Sequence, residues 1–309
     1  MGSTDVKVSP ITLGGAPLGS MPANFGYEVS EREAIDLVCA VLDSDIRTID
    51  TSNGYSDGQS EERIGKGIAE YGGLPDDVVV VTKVDAKGTD YSGDRVRQSL
   101  HESRQRLGID TLPLVHLHDP EFHDFSELTA KGGAVSALVA ARESGEIRHL
   151  GLAGGDVHEM ARYLELGVFD VLLVHNRWTL VDRSAGDIIA RATELGVAVV
   201  NAAVLGGGIL VDSSGTNTSY GYRPATAVTL ASIARMREVC RAWNTDLATA
   251  AIRFSTREPR ISTTIVGISK IGRIEPTIEA ATANLPDEFW NELEMLVPTA
   301  ENWLDAPLV

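Results

Sequence analysis

The sequence predicts an α/β fold, a closed (β/α)8 TIM barrel forming one domain over residues 1–309, and three observations carry that prediction. Eight short apolar runs alternate with amphipathic helical stretches along most of the chain. Eight is the number of strands that closes a parallel barrel. The chain has 309 residues, 43 % of them apolar, and no interdomain linker, which suits one large domain.

The strand candidates, in order, are residues 13–19, 47–52, 78–84, 112–118, 146–153, 170–176, 197–203 and 262–268. Most are runs rich in Val, Ile and Leu, with polar or Gly-rich stretches around them. Between them, Ser30 and Glu33 spell a capping box, and Asp156 with Glu159 repeats it. Val96, Leu100 and Leu107 share one helical face, and Gly167 and Gly196 follow helices where a left-handed residue is wanted. Two additions to a minimal barrel are expected. One is a Gly/Ser/Thr-rich segment over 205–224, placed to cover a substrate or cofactor; the other is an extra C-terminal helix over 286–296.

Composition excludes several roles. With 44 acidic and 27 basic residues the formal charge is −17, which repels phosphate backbones and anionic lipid, so no nucleic-acid or membrane partner is expected. No run of 18 apolar residues and no hydrophobic leader occurs, so a soluble, cytoplasmic protein is expected. Cys39 and Cys240 lack CxxC spacing and read as reduced packing residues.

Four side chains stand out chemically. Lys83 ends a strand apolar enough for burial on both faces, so its ammonium needs either an anion or a path to solvent. Asp50, at the end of the preceding strand, is the candidate anion, or else a turn carboxylate. Tyr55 lies five residues on, in a polar loop; a neighbouring cation would lower its phenol toward the working pH range, while the bland alternative is a packed loop aromatic. His118 closes the fourth strand, two residues after His116, and is either a rim donor or a satisfied core histidine. His116, one layer deeper, reads as core. His116, His118 and Asp119 also make a weak metal-ligand pattern.

Taken together, IDTSNGY with SEERIG, VVVVTK, HDP and GEIRHLGLAG resemble the aldo-keto reductase superfamily, in order from about residue 11 to 282. HNRWTLVDR and VVNAAVLGGGIL resemble its branch of D-threo-aldose 1-dehydrogenases (L-fucose dehydrogenases) and pyridoxal dehydrogenases. The resemblance implies a TIM barrel with a short N-terminal hairpin and a nicotinamide dinucleotide held without a Rossmann domain. It makes Tyr55 the proton donor or acceptor at the substrate oxygen, Lys83 and Asp50 its tuners, and His118 an orienting donor. Leu205, Gly206 and Gly208 would approach the pyrophosphate. Ala153 and Gly154 stand where relatives hold the nicotinamide amide, and Ala202 falls near the place of a stacking aromatic. Asn176 and Trp178 are therefore the substitutes for amide and ring. Near Ser269, Gly267 stands where NADP-preferring members carry lysine, whereas Arg273 matches an arginine that reaches the adenosine phosphate. Both NAD and NADP remain open, with a lean to NAD.

The function implied is oxidation of an aldose at C1 to a lactone, or interconversion of a small polar aldehyde or ketone with its alcohol, with no metal. The alternatives are a Schiff-base lyase or isomerase using Lys83, a metal-dependent hydrolase using His116 and His118, and a cofactor-binding regulatory subunit without turnover.

Overall fold

The computed structural model describes residues 1–22, 26–212 and 214–305. Eight parallel strands close into a barrel: β1 (Ile11–Gly14), β2 (Thr48–Asp50), β3 (Val79–Val84), β4 (Leu112–His118), β5 (Ile147–Gly154), β6 (Val171–His175), β7 (Ala198–Ala202) and β8 (Ile261–Gly267). Each strand pairs with the next in sequence, and β8 returns to β1 with Ile11 opposite Thr264. The helices that follow the strands are α1 (Glu31–Leu42), α2 (Gln59–Tyr71), α3 (Gly93–Leu107), α4 (Ala134–Glu143), α5 (Val157–Leu164) and α6 (Gly186–Glu194). Four more complete the chain: α7 (Ala227–Ala242), α8 (Leu247–Thr256), α9 (Ile274–Ala281) and α10 (Asp287–Glu294). No helix among the described residues is long and apolar enough to cross a membrane.

The strands alternate between two apolar environments. Val80, Val115, Leu117, Leu150 and Leu152 point outward into a shell filled by the helices. Val81, Leu114, Leu173, Val200 and Ile265 fill the barrel interior. The predicted helix starts form as expected. Ser30 and Glu33 close a reciprocal capping box on α1, and Asp156 accepts from the His158 and Glu159 amides of α5, a device worth about 1 kcal/mol per helix. The extra C-terminal helix is α10, whose Phe289, Trp290 and Leu293 pack with Met236 and Cys240 of α7 in a separate apolar cluster. Both cysteines are free thiols.

Two expectations differ from the structure. The N-terminal hairpin does not form: residues 1–10 carry no strand. The Met1 ammonium instead donates to the Val6 carbonyl at 2.7 Å and Thr4 hydrogen-bonds back to Met1, which folds the segment on itself. Met1 then packs against the interior side chains at one end of the barrel. The first strand also begins earlier than expected and ends at Gly14, because Pro17 sits inside a 3-10 turn, Ala16–Gly19.

At the other end, three strands exit through non-glycine residues in the left-handed region: Asp119 (φ 46°) after β4, Asn176 (φ 61°) after β6 and Ala203 (φ 54°) after β7. Side chains without the freedom of glycine adopt such angles only where the surroundings impose them. All three stand at the C-terminal mouth, the end where barrel sites are built.

Candidate active site

The mouth holds a cavity of about 370 Å³. Asp50, Tyr55, Lys83 and His118 line it together, so the four residues singled out by sequence converge. Lys83 is 1 % and Asp50 4 % exposed. The lysine Nζ donates to Asp50 Oδ1 at 2.6 Å, to the Thr51 carbonyl at 2.8 Å and to the Tyr55 hydroxyl at 3.3 Å, which occupies all three of its protons. Burial works against the ammonium, but the Asp50 carboxylate outweighs it, so Lys83 holds its proton beyond the ordinary lysine range. A lysine so paired is a poor nucleophile, which weighs against a Schiff base.

The loop that presents Tyr55 is rigidly tied. Its Asn53 carboxamide donates to the Ser99 carbonyl of α3 and accepts from Arg95 at 2.7 Å. The Arg106 guanidinium donates to the Asn53 carbonyl. Ser56, Asp57 and Gly58 then turn the chain through three left-handed residues into α2. One expectation reverses here: the Tyr55 phenol is raised, not lowered. Burial raises it most, and the Asp50 charge offsets much of what Lys83 contributes. Tyr55 is therefore a phenol in this pocket.

His118 is held at both ends. Its backbone N–H donates to the Tyr91 hydroxyl at 2.9 Å, and its Nδ1 lies 2.6 Å from Asp85 Oδ1. The ring meets the Tyr55 ring edge to face, with centroids 5.7 Å apart. His116 is a core histidine: it is 1 % exposed, its ring packs against Gly151, and burial pushes its pKa well down. Glycine at 151 is required, because a Cβ there would overlap the imidazole. The chelating side chains that do cluster at the mouth among the described residues are Asp119, Glu121 and His175, not the His116, His118 and Asp119 set.

Sequence reasoning missed part of the cavity lining. His175 and Tyr222 line the cavity beside Asp119, with Phe122 also lining it. Tyr222 comes from the Gly/Ser/Thr-rich segment and sits edge-on to His175 at 6.2 Å. That segment folds back over the mouth as a two-residue ladder, Ser219–Tyr220 with Arg223–Pro224; its Ser213 lies outside the described residues. The Tyr220 hydroxyl anchors it by donating to the Asn176 carbonyl at 2.5 Å. The signal was present in YGYRP, an aromatic inside a polar loop, the same feature that singled out Tyr55. Asp85, two residues past Lys83, was also overlooked.

The proposed cofactor contacts divide. Gly267 lines the cavity, and Arg273 is exposed on the following turn with no ion-pair partner among the described residues; Ser269, half-buried, lies between them. Trp178 is not brought to the cavity: its ring packs on Phe254 at 5.6 Å, beneath the Arg183 and Arg260 guanidinium groups. Asn176 is fully buried, with its Nδ2 3.2 Å from His175 Nδ1 and its Oδ1 without a partner. The Leu205–Gly208 turn uses its own amides: Gly206 N–H donates to Ala203 O and Gly208 N–H to Leu205 O. Gly206 is further explained by Tyr220, whose ring would stand 2.8 Å from a Cβ at a φ of 61°.

The residues present do fit a nicotinamide dinucleotide. The apolar Ala153, Leu173, Ala202 and Ile265 line the cavity with Tyr55 and His118, and the exposed Arg273 and Lys270 follow β8.

Residues 10–298 match the family model of the Aldo/keto reductase family. The chain is 29 % identical to the pyridoxal 4-dehydrogenase of Microbacterium luteolum, over 95 % of each chain. It is 27 % identical to the L-galactose dehydrogenase of Arabidopsis thaliana, over 98 % of this chain and 94 % of the other. The D-threo-aldose 1-dehydrogenase of a Pseudomonas species is also 27 % identical, over 97 % and 100 %. Among solved structures, a Bacillus halodurans aldo-keto reductase in its holo form superposes with a TM-score of 0.80 at 21 % identity, over 97 % and 96 % of the two chains, which supports the barrel itself. On sequence and fold together, the chain is an oxidoreductase that belongs to the aldo/keto reductase family.

Proposed function

We propose that this protein oxidises the C1 hemiacetal of a free aldose to the lactone, using NAD or NADP, with a lean to NAD. The carrying observation is the pairing of two unlike sets of side chains. The buried Asp50 and Lys83, with Tyr55 and His118 at the mouth, share one cavity with Asp119, His175 and Tyr222. The first set handles a proton at a hydroxyl or carbonyl oxygen; the second offers hydrogen-bond acceptors and donors to further hydroxyl groups. A substrate with one oxygen would leave Asp119 and His175 idle. Relatives named as L-galactose and D-threo-aldose dehydrogenases support the sugar, and the pyridoxal 4-dehydrogenase keeps a small polar aldehyde or alcohol as the neighbouring alternative.

The dinucleotide, when bound, supplies the two-electron acceptor. Gly267 and Arg273 would hold its phosphates, with Ser269 near them, and Ala153 and Ala202 would take its flat ring. Tyr55 and His118 meet the reacting oxygen from two sides, with Tyr55 as the general acid and base. Lys83 keeps a positive charge beside the phenol, and Asp50 keeps that charge in place.

The experiment is a titration with NAD and with NADP, followed by a panel of free aldoses and small aldehydes with the tighter nucleotide, read as nicotinamide absorbance. Lactone formation from an aldose is expected. Turnover of aldehydes and simple alcohols alone would replace the sugar reading, and binding of neither nucleotide would overturn the reading entirely.

A further inference from the structure

His118 is tied through its Nδ1 to a carboxylate, and that tie determines what its other nitrogen can do. Asp85 follows β3 directly. Its Oδ2 accepts the Gly54 amide at 2.7 Å and the Ser52 hydroxyl, and its Oδ1 lies 2.6 Å from His118 Nδ1. Gly54 has no room for a side chain because a Cβ would stand 2.9 Å from the Asp85 carboxyl carbon. The carboxylate is thus placed by the same loop that presents Tyr55. An ionised carboxylate only accepts, so the short contact requires a proton on Nδ1. Nε2 is left on the side of Asp119, 3.7 Å from its Oδ1, where both residues line the cavity.

We propose that Asp85 is a positioning residue that sets the polarity of His118. By holding the ring proton on Nδ1, it makes Nε2 a hydrogen-bond donor only when the ring is charged and an acceptor when the ring is neutral. A carbonyl oxygen is then gripped by the charged ring, whereas the neutral ring offers it no proton. His118 thereby selects between the two ends of the reaction according to pH, while Tyr55 carries the transferred proton. In oxidation the substrate O–H bond breaks with its proton going to the Tyr55 oxygen, ionised beside the Lys83 ammonium, the C–H bond breaks with its electron pair going to the oxidised nicotinamide, and a C=O bond forms. The inference rests on the oxidoreductase reading of this pocket.

The surroundings of the ring are consistent with a charge that comes and goes. Asp85 and Asp119 favour the cation. Lys83, His116 and His175 oppose it. Asp50 adds a further negative charge, and Tyr55 presents an uncharged edge. Burial also opposes the cation, and the two flanking carboxylates prevail, so His118 keeps its proton above the ordinary histidine range.

The test compares the ligand-free protein with Asp85→Asn by nitrogen-15 NMR of the imidazoles across pH. Asn keeps an oxygen for the Gly54 and Ser52 donors and turns its NH2 toward His118, so the neutral ring should move its proton from Nδ1 to Nε2, and its pKa should fall. In the wild type, kcat/KM for carbonyl reduction should drop about tenfold per pH unit above the pKa seen by NMR. In Asp85→Asn that limb should vanish, because Nε2 keeps its proton. A neutral wild-type ring protonated on Nε2 overturns the proposal, even if the variant fails to fold. So does a variant with unchanged tautomer and an unchanged limb. The NMR arm needs neither nucleotide nor substrate, so failure of the sugar reading leaves this outcome separately readable.

Discussion

Lys83 Nζ stands 2.6 Å from Asp50 Oδ1 with both side chains almost wholly out of water. Removing one partner leaves the other charge buried alone, which costs about 3–5 kcal/mol. Asp50→Asn should therefore lower unfolding stability by that order in urea titration. The double variant Asp50→Asn with Lys83→Met should recover a large part of it. Additive losses would show that the pair is not energetically coupled.

Tyr55 donates or receives the substrate proton in the proposed mechanism, and its ring is half-exposed at the mouth. Tyr55→Phe should reduce kcat at least about 100-fold while leaving nucleotide affinity and thermal stability close to the wild type. Stopped-flow binding together with steady-state rates separates the two. Unchanged turnover would remove the phenol from the chemistry.

Histidines at the mouth pull stability in opposite directions with pH. His175 is pushed down to about 4, by burial first and by Arg177, with Asp119 opposing. Its folded state prefers the neutral ring, so this contribution is complete above the unfolded value of about 6.5 and is lost as pH falls toward 4, roughly 3 kcal/mol in all. His118 is raised, so its ion pair with Asp85 contributes fully below about 6.5 and is lost as pH rises through the higher folded value. Chemical denaturation at a series of pH values should show His175→Asn flattening the acid side alone.

Arg273 is exposed near the β8 rim and has no ion-pair partner among the described residues. Arg273→Ala should raise the Kd for NADP more than for NAD, by about tenfold against a smaller change, if the guanidinium reaches the adenosine phosphate. Equal effects on both nucleotides would place it on the pyrophosphate instead.

The sequence made legible those features that follow from periodicity or from an anomaly of charge. The eight strands showed because each is an apolar run between polar turns, and Lys83 showed because an ammonium inside VVVVTKV demands an explanation. Asp50 and Tyr55 followed from Lys83. What was not legible depends on which atoms meet across the mouth. Asp85 looks like any acid after a strand until its carboxylate is seen against Gly54 and His118. Trp178 looked like a free ring until Phe254 was found packed on it. The direction of the Tyr55 shift was misjudged because a neighbouring cation is visible in sequence and the depth of burial is not.

The ladder that carries Tyr222 is fastened from a remote part of the chain. Arg223 donates to the Leu304 carbonyl at 2.5 Å, the Leu304 amide donates to Asp182 at 2.7 Å, and Asp305 pairs with Arg177 at 3.0 Å while accepting the first amide of α5. The segment that brings Tyr222 to the mouth is thus held by contacts about 80 residues downstream of it. Releasing it with Asp305→Ala should speed product dissociation and weaken substrate retention, leaving the tetrad untouched. Pre-steady-state bursts that disappear in this variant would reveal it. The route to altered turnover in this barrel then runs through residues that never meet the substrate.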